Sequence, residues 1–269
     1  MGLSFDIIGS GERAVAIVEI PEEIDSEEKE REIAKEIMEK HKIVKSVLKK
    51  ESAREGEYRT RKYKLVAGEA DTEVVHKEYG YVLKLDPQKV YFSVREGTER
   101  QRVAARVGVD EIVMVMFAGA GPLPVAIAKW QPKVEKIIAV EINPDAVGYM
   151  EYNIRVNKLS HKIISVLGDV REACERWYGK CDRVVMPLPL GAESFLDVAV
   201  KCLGERGGVI HFYSWGEEPD LFSKAAELVG KNLKALKKDY EIIDKHVVLP
   251  YSPHKHKICL DIEVKGKGA

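Results

Sequence analysis

The chain has 269 residues, 45% of them hydrophobic, and its 43 lysines and arginines nearly balance its 44 aspartates and glutamates. A chain of this length can bury a sizeable core. It fits either one large domain or a medium domain with a small one, and we favour the second arrangement. The near-zero net charge excludes attraction of nucleic acid by a strong overall positive field, so any such contact requires a local basic patch.

The sequence carries no sign of a membrane, an export signal or a metal site. No apolar run approaches the roughly 20 residues that span a bilayer, and the first residues lack the apolar core of a signal peptide. We therefore expect a soluble, cytoplasmic protein without membrane contact. The four cysteines form no CxxC pair and predict buried free thiols rather than metal ligands. They are Cys174, Cys181, Cys202 and Cys259.

The N-terminal part of the chain predicts a small α+β domain. Asp25 and Glu28 form a candidate capping box for a helix that ends near Lys40. Around this helix, segments rich in strand-forming residues predict two hairpins and two further strands. These segments are 5–8, 14–20, 43–48, 63–66 and 74–85, the last broken by a Tyr79-Gly80 turn. We assign residues 1–85 to this domain.

From Gln101 onward, apolar strands alternate with amphipathic helices, which indicates a parallel sheet with crossover helices. The predicted strands are 111–116, 136–141, 163–167, 183–186, 209–214, 246–249 and 258–264. The predicted helices are 123–130, 144–157, 194–203 and 221–229. We assign residues 86–269 to a connector and a Rossmann-like α/β domain that ends in an antiparallel hairpin.

A glycine turn follows the first strand of this sheet and opens the next helix. Gly119 and Gly121 let the backbone approach a ligand closely, and Pro122 suits the first helical position. Strand two ends at Glu141, where a carboxylate can accept both ribose hydroxyls, and strand three ends near Asp169, which can contact an adenine amino group. Because the carboxyl ends of parallel strands meet at one edge, these residues predict an adenosine pocket.

The sequence around the turn also bears on which cofactor binds. A dinucleotide fold would favour a third glycine three residues after Gly121, where this chain has Pro124. The proline, the apolar start of the helix and the C-terminal hairpin favour S-adenosylmethionine over NAD. Arg95, Glu99 and Arg100 precede the turn by one helix and one strand and are candidates for the chemistry, although alone Glu99 and Arg100 could be an exposed ion pair.

Several segments together resemble the archaeal and eukaryotic tRNA guanine-N1-methyltransferases that act at position 37. These segments are GEYRTRKYKL, YFSVREGTERQRVAARV, MFAGAGP, EINPDAVGYMEYNIRVN and DRVVMPLPLGAESFLDVA. The resemblance covers nearly the whole chain and begins at the second domain of the family. We therefore expect either a short form without the N-terminal module that grips the tRNA elbow, or a truncated chain.

The resemblance implies methyl transfer from S-adenosylmethionine to N1 of guanine 37 in the anticodon stem-loop of tRNA, by a monomer without a metal, with the small domain positioning the RNA. It implies that Glu99 is the general base, since N1 carries a proton at neutral pH. It also implies that Arg59 stabilises the charge that develops on O6 and that Arg95 is a further catalytic residue.

The remaining site residues also follow from the resemblance. The expected contacts with the target guanine come from the connector and from the end of the fourth strand. They are Tyr91, Arg100, Leu188 and Pro189. Phe117 and Pro187, at the ends of the first and fourth strands, are expected beside the cofactor.

Three positions depart from the family pattern, and the mildest is Val94, which replaces a proline between Ser93 and Arg95. Val115 stands where the family has an aspartate that helps hold the cofactor, and Pro187 stands where it has an asparagine that contacts the guanine. Proline offers neither a side-chain donor nor an N–H. We therefore keep two alternatives: an aminocarboxypropyl transferase of wybutosine biosynthesis, which uses the same cofactor, and a catalytically weakened tRNA-binding paralogue.

Overall fold

The computed structural model describes residues 4–24, 26–52, 56, 58 and 60–266. The N-terminal part forms a four-stranded sheet in the order β1-β2-β3-β4, covered on one face by helix α1. Its elements are β1 (Phe5–Ser10), β2 (Arg13–Val18), α1 (Glu27–Lys40), β3 (Val44–Lys50) and β4 (Tyr63–Gly68). The predicted small α+β unit is present, and the predicted strand positions agree closely with these bounds.

The start of α1 differs by one residue from the expected capping box. Ser26 is the N-cap, and its hydroxyl accepts a hydrogen bond from the backbone N–H of Lys29 at 3.2 Å. Glu28 therefore occupies the second helical position rather than the third, which a capping box requires. Asp25 lies outside the described residues.

A hairpin of β5 (Val74–Glu78) and β6 (Tyr81–Leu85) follows, and it is clamped to the C-terminal unit. The turn residues Tyr79 and Gly80 have φ values of 44° and 82°, as a two-residue hairpin turn with the favoured twist requires. The side-chain amides of Asn153 and Asn157 replace a strand partner, because each bonds both the N–H and the C=O of one β6 residue at 2.6–3.0 Å.

The C-terminal part is a seven-stranded sheet in the order β12-β13-β11-β10-β7-β8-β9. Five strands are parallel, and β13 runs antiparallel between β11 and β12. The strands are β7 (Ile112–Met116), β8 (Lys136–Glu141), β9 (Ile163–Leu167), β10 (Arg183–Met186), β11 (Gly207–Glu217), β12 (Tyr240–Ser252) and β13 (Lys255–Lys265). The predicted Rossmann-like sheet with a C-terminal antiparallel hairpin is confirmed.

Helices connect these strands on both faces of the sheet. They are α2 (Gly97–Ala105), α3 (Pro122–Trp130), α4 (Pro144–Val156), α5 (Val170–Ala173), α6 (Leu196–Cys202) and α7 (Ser223–Ala235). Strand β12 is longer than predicted because it lies at the sheet edge, where exposed and half-buried residues alternate and dilute the apolar signal. None of the helices in the described part of the chain has the length and apolar character needed to cross a membrane.

Residues of both sheets belong to one buried hydrophobic cluster, and the small sheet has a second cluster beneath α1. Ile8 and Leu48 of the small sheet, Leu83 of the hairpin and Val113 of β7 belong to the same buried cluster. The division at residue 85 therefore stays a prediction. All four cysteines are buried and free, as expected.

Candidate active site

The glycine turn after β7 forms the floor of a cleft at the carboxyl edge of the large sheet. Phe117, Gly119 and Gly121 have φ values of 54°, 57° and 80°, so three residues of this short turn are left-handed. At Gly121 a Cβ atom would lie 2.8 Å from Met150 Cγ, whereas beside Gly119 the nearest neighbour would be the Tyr91 carbonyl at 3.7 Å. The turn is thus packed tightly behind Gly121 and left open beside Gly119, which gives a ligand close access to the backbone.

Glu141 at the end of β8 holds this turn in place. Its Oε2 atom accepts a hydrogen bond from the N–H of Gly119 at 2.7 Å, and Oε1 accepts from the N–H groups of Ile142 and Asn143 at 2.9 Å each. A carboxylate oxygen can accept two bonds, so Oε2 retains one acceptor position for a ligand hydroxyl. Asp169, which follows β9, caps α5 by accepting from the Arg171 N–H at 2.8 Å.

These observations test whether an adenosine-type cofactor fits. The floor combines an open glycine with the apolar side chains of Phe117 and Leu123, and acids stand at the next two strand ends. An adenosine needs apolar surface for its base and acceptors for its hydroxyl and amino groups. The residues present therefore fit S-adenosylmethionine.

The cleft above the turn encloses about 600 Å³, part of it open to solvent. The connector between the two sheets and the strand ends of the large sheet form its walls. Among the residues expected at the site, those that line it are Tyr91, Glu99, Arg100, Phe117, Gly119 and Pro187. Those that do not are Arg95, Gly121, Glu141, Asp169, Leu188 and Pro189, and Arg59 lies outside the described residues. Val115 also lines the cleft and is fully buried.

Glu99 of α2 is almost fully buried in the cleft wall and is held there by hydrogen bonds, including one from Tyr213, which lines the same cleft. Arg102 donates to both carboxylate oxygens, from Nε to Oε2 at 2.8 Å and from Nη2 to Oε1 at 2.9 Å. The hydroxyl of Tyr213 on β11 donates to Oε1. Burial raises the pKa of Tyr213 well above its ordinary value, so the hydroxyl keeps its proton and remains a donor. Glu99 therefore faces the cleft as a fixed hydrogen-bond acceptor.

A buried polar chain extends from Arg102 away from the cleft. Arg102 donates to Asp261 at 2.8 Å, and Asp261 lies 2.6 Å from Nδ1 of His211. The other ring nitrogen of His211 lies 2.9 Å from Nη1 of Arg183, which can only donate. Nε2 is therefore the acceptor and Nδ1 carries the proton toward Asp261. Burial lowers the pKa of His211, which keeps the ring neutral.

His211, Cys259 and Asp261 offer donor atoms within 4.8 Å of one another, a spacing that could hold a metal ion. The guanidinium of Arg183 already occupies the free lone pair of His211, and the guanidinium of Arg102 binds the carboxylate. These two guanidinium groups contact the atoms that would bind the metal, and their positive charges would repel a cation. This cluster is better explained as support for α2 than as a metal site.

Arg100 lines the cleft, but its donors serve the protein. Its Nε and Nη2 atoms donate to the two carboxylate oxygens of Glu78 at 2.7 and 2.6 Å, and Nη1 donates to the Ser93 carbonyl at 3.1 Å. Burial opposes ionisation of Glu78, but hydrogen bonds from His76 and Arg100 outweigh it and lower the pKa of Glu78 to about 2. This pair fixes the β5–β6 hairpin to the cleft wall.

Two further connector residues have protein partners. Arg95 is half-exposed and donates to Asp6 at 2.6 Å and to Ser4 at 3.2 Å, so it faces the small sheet rather than the cleft. The Tyr91 hydroxyl donates to Glu96 at 2.7 Å. Arg95 thus joins the connector to the N-terminal part, whereas the bond of Tyr91 lies within the connector. The roles of both residues toward a substrate stay predictions.

Tyr213 and Arg102, which hold Glu99, were not predicted from the sequence. Tyr213 lies on β11, two residues beyond His211 on the same face of the sheet, so both reach toward α2. The alternation of this strand could have indicated that face, but not the partner on α2. Arg102 stands three residues after Glu99, a spacing that places both on one side of a helix.

Comparison with known proteins places these features in a family. The pattern described as "TRM5/TYW2 methyltransferase domain" matches residues 74–243, and "TYW2 N-terminal domain" matches residues 2–72. The chain is 43% identical to the tRNA (guanine(37)-N(1))-methyltransferase Trm5b of Pyrococcus abyssi over 97% of this chain and 74% of that protein. It is 32% identical to a tRNA(Phe) (4-demethylwyosine(37)-C(7)) aminocarboxypropyltransferase of Methanocaldococcus jannaschii, over 97% and 98%.

Solved structures agree with these relatives. The complex of aTrm5 with tRNALeu superposes with a TM-score of 0.84 at 39% identity, over 98% of this chain and 72% of that one. The M. jannaschii TYW2 in complex with AdoMet superposes with a TM-score of 0.72 at 26% identity, over 98% and 100%. The glycine turn, the sheet order and the matched domains lead to one conclusion: the chain belongs to the TRM5/TYW2 family of S-adenosylmethionine-dependent methyltransferases.

Proposed function

We propose that this chain methylates N1 of guanine 37 in tRNA, with Glu99 as the general base. The observation that carries the proposal is that the Glu99 carboxylate and the open glycine turn line the same cleft. The higher identity to a guanine-37 methyltransferase than to an aminocarboxypropyltransferase, 43% against 32%, supports the same choice. A tRNA substrate implies a cytoplasmic enzyme. We also propose that it acts as a monomer.

The mechanism rests on the position of a fixed acceptor. When bound, S-adenosylmethionine supplies an electrophilic methyl group on sulfur. The glycine turn would hold this cofactor, which would give its methyl group to guanine N1 and leave as the neutral thioether, while Glu99 takes the N1 proton. The N1 lone pair becomes available only as the N1–H bond breaks, so the base must take the proton during the attack. Arg102 and Tyr213 hold that carboxylate in place, which favours catalysis by reducing the cost of orienting it.

Negative charge develops on O6 as the proton leaves, and a guanidinium there would stabilise it. We propose Arg59 for this role because it belongs to the GEYRTR segment that precedes β4. Two residues further on, Arg61 lines a second cleft that shares a wall with the first. That neighbourhood supports placing the segment beside the substrate.

The test is the identity of the product. Unmodified tRNA transcripts with G or A at position 37 are incubated with S-adenosylmethionine, and the digested nucleosides are analysed by mass spectrometry. We expect a single added methyl group on N1 of guanine 37 and no product with A37. An added aminocarboxypropyl group would instead support the alternative transferase. No product at all, together with tRNA binding, would support the weakened paralogue.

A further inference from the structure

A second cleft lies between the small sheet and the connector. It encloses about 570 Å³, part of it open to solvent. Tyr91, Phe92 and Ser93 line both this cleft and the active-site cleft. Three extended residues span at most about 10 Å, so a substrate that fills the first cleft and continues as a chain can enter the second.

Two cations line the second cleft in the described part of the chain, Lys50 and Arg61, and both lie near the Glu19 carboxylate. Lys50 is paired with Glu19 at 2.9 Å, and Asp6 is paired with Arg95 at 2.6 Å. Arg61 differs, because its buried Nε atom has no hydrogen-bond partner among the described residues. A buried donor without a partner is costly, and in a native protein it calls for a ligand or a water.

The other lining groups define which anion fits. Thr60 offers a hydroxyl, and Tyr63 and Phe92 offer aromatic surface. Phe92 is held in place between the Arg100 guanidinium at 5.1 Å and the His76 ring at 5.2 Å. Proteins hold a single-stranded nucleotide by a cation that contacts the phosphate and by a hydroxyl and an aromatic surface that contact the sugar or base.

We propose that the second cleft binds the nucleotide adjacent to the target guanine, with Arg61 donating to its backbone phosphodiester. The proposal rests on the proposed function for the identity of the RNA. It adds a phosphate site on the small sheet, which would fix how far the RNA advances into the active-site cleft. The small domain then sets the position of the RNA in the active-site cleft, in addition to supporting the cleft wall.

The experiment combines removal of the Arg61 guanidinium with removal of the charge on single RNA phosphates. Anticodon stem-loops carry a single neutral methylphosphonate at each phosphate near position 37, and their binding to the unaltered protein and to Arg61→Gln is measured without cofactor. A hydrogen bond to a charged group is worth enough that Arg61→Gln should weaken binding of the unmodified RNA about tenfold. At one methylphosphonate position the same substitution should have almost no further effect, since the contact is already lost.

The control is Arg206→Gln, which removes one positive charge from an exposed residue at the opposite edge of the large sheet. It should leave the affinity nearly unchanged, whereas Arg61→Gln should reduce the salt slope of binding by about one. Equal losses with Arg61→Gln at every methylphosphonate position would overturn the proposal. If Arg61→Gln does not fold, the methylphosphonate scan with the unaltered protein still tests the proposal. The site requires that neutralising one phosphate next to the target guanine weakens binding far more than neutralising any other.

The outcome is separable from the test of the proposed function. Binding is measured without cofactor, so the coupling between Arg61 and one phosphate does not depend on which group is transferred. A different product with intact coupling would refute the methylation alone. Methylated G37 with no coupling at any position would refute the phosphate site alone.

Discussion

At the scale of single residues, Glu99 combines two properties that its sequence neighbours do not share. It lines the cleft, and its carboxylate is fixed by hydrogen bonds from Arg102 and the Tyr213 hydroxyl, with Nε2 of His246 3.5 Å from Oε2. Arg95 and Arg100 are engaged elsewhere, by Asp6 and by Glu78. Of the charged connector residues predicted for the site, Glu99 is therefore the strongest candidate for proton transfer.

We expect Glu99→Gln to reduce the single-turnover rate of methyl transfer by about 100-fold or more, since an amide keeps the shape of the side chain but cannot accept the proton. Cofactor affinity, measured by calorimetry, should change little because Glu99 does not belong to the glycine turn. The matched control is Glu135→Gln, an exposed carboxylate just before β8 at the opposite sheet edge, which should leave the rate unchanged. An unaltered rate in Glu99→Gln would remove the residue from the mechanism.

At the scale of elements, the β5–β6 hairpin ties the small sheet to the cleft. The side-chain amides of Asn153 and Asn157 bond the backbone of β6. The Glu78 carboxylate of β5 accepts two hydrogen bonds from Arg100 of α2. Side chains from two helices of the large unit thus fix one hairpin. The position of the cleft wall therefore depends on an ion pair whose arginine itself lines the cleft.

This ion pair predicts a pH dependence of stability. The pKa of Glu78 falls from 4.5 to about 2 in the folded chain, so its contribution is complete above about pH 4.5 and disappears as the pH falls to about 2. The shift corresponds to about 3 kcal/mol. We expect the free energy of unfolding in urea to be lower for Glu78→Gln near neutral pH, and the gap to the parent chain to narrow steadily through that window. A gap that stays constant with pH would contradict this role.

The sequence could predict elements whose signals are local. The glycine turn, the strands that precede it and the Tyr79-Gly80 hairpin each depend on a few adjacent residues, and each is found where expected. The support of Glu99 could not be predicted in the same way. Tyr213 lies 114 residues away from Glu99, and Asp261 lies 159 residues away from Arg102. Such contacts depend on sheet order and register, which spacing along the chain does not specify.

The sequence also could not predict the exact ends of helices or the partners of charged residues. The N-cap is Ser26 because its hydroxyl, one residue after Asp25, meets the Lys29 N–H. A motif could indicate that Arg95 is near the site, but not that Asp6 on the small sheet would bind it. An ion pair between two separately predicted units cannot be predicted until the relative position of the two units is known.

At the scale of the whole molecule, the two sheets share a buried cluster that contains Ile8, Leu48, Leu83 and Val113. The small sheet has its own buried cluster beneath α1, but the residues of its other face are buried in the shared cluster, so part of its stability should come from that cluster. The same packing places the second cleft beside the first. Separation of the two sheets would therefore disturb the proposed RNA path as well as stability.

We expect the chain to unfold in a single cooperative transition. All three tryptophans, Trp130, Trp177 and Trp215, lie in the large unit, so their fluorescence reports on that unit alone, whereas far-ultraviolet circular dichroism reports on both sheets. In urea the two signals should give coincident transitions. Leu83→Ala, which opens a cavity in the shared core, should lower both midpoints together and cost about 2–5 kcal/mol. An earlier step seen by circular dichroism without a change in fluorescence would show instead that the small sheet unfolds independently.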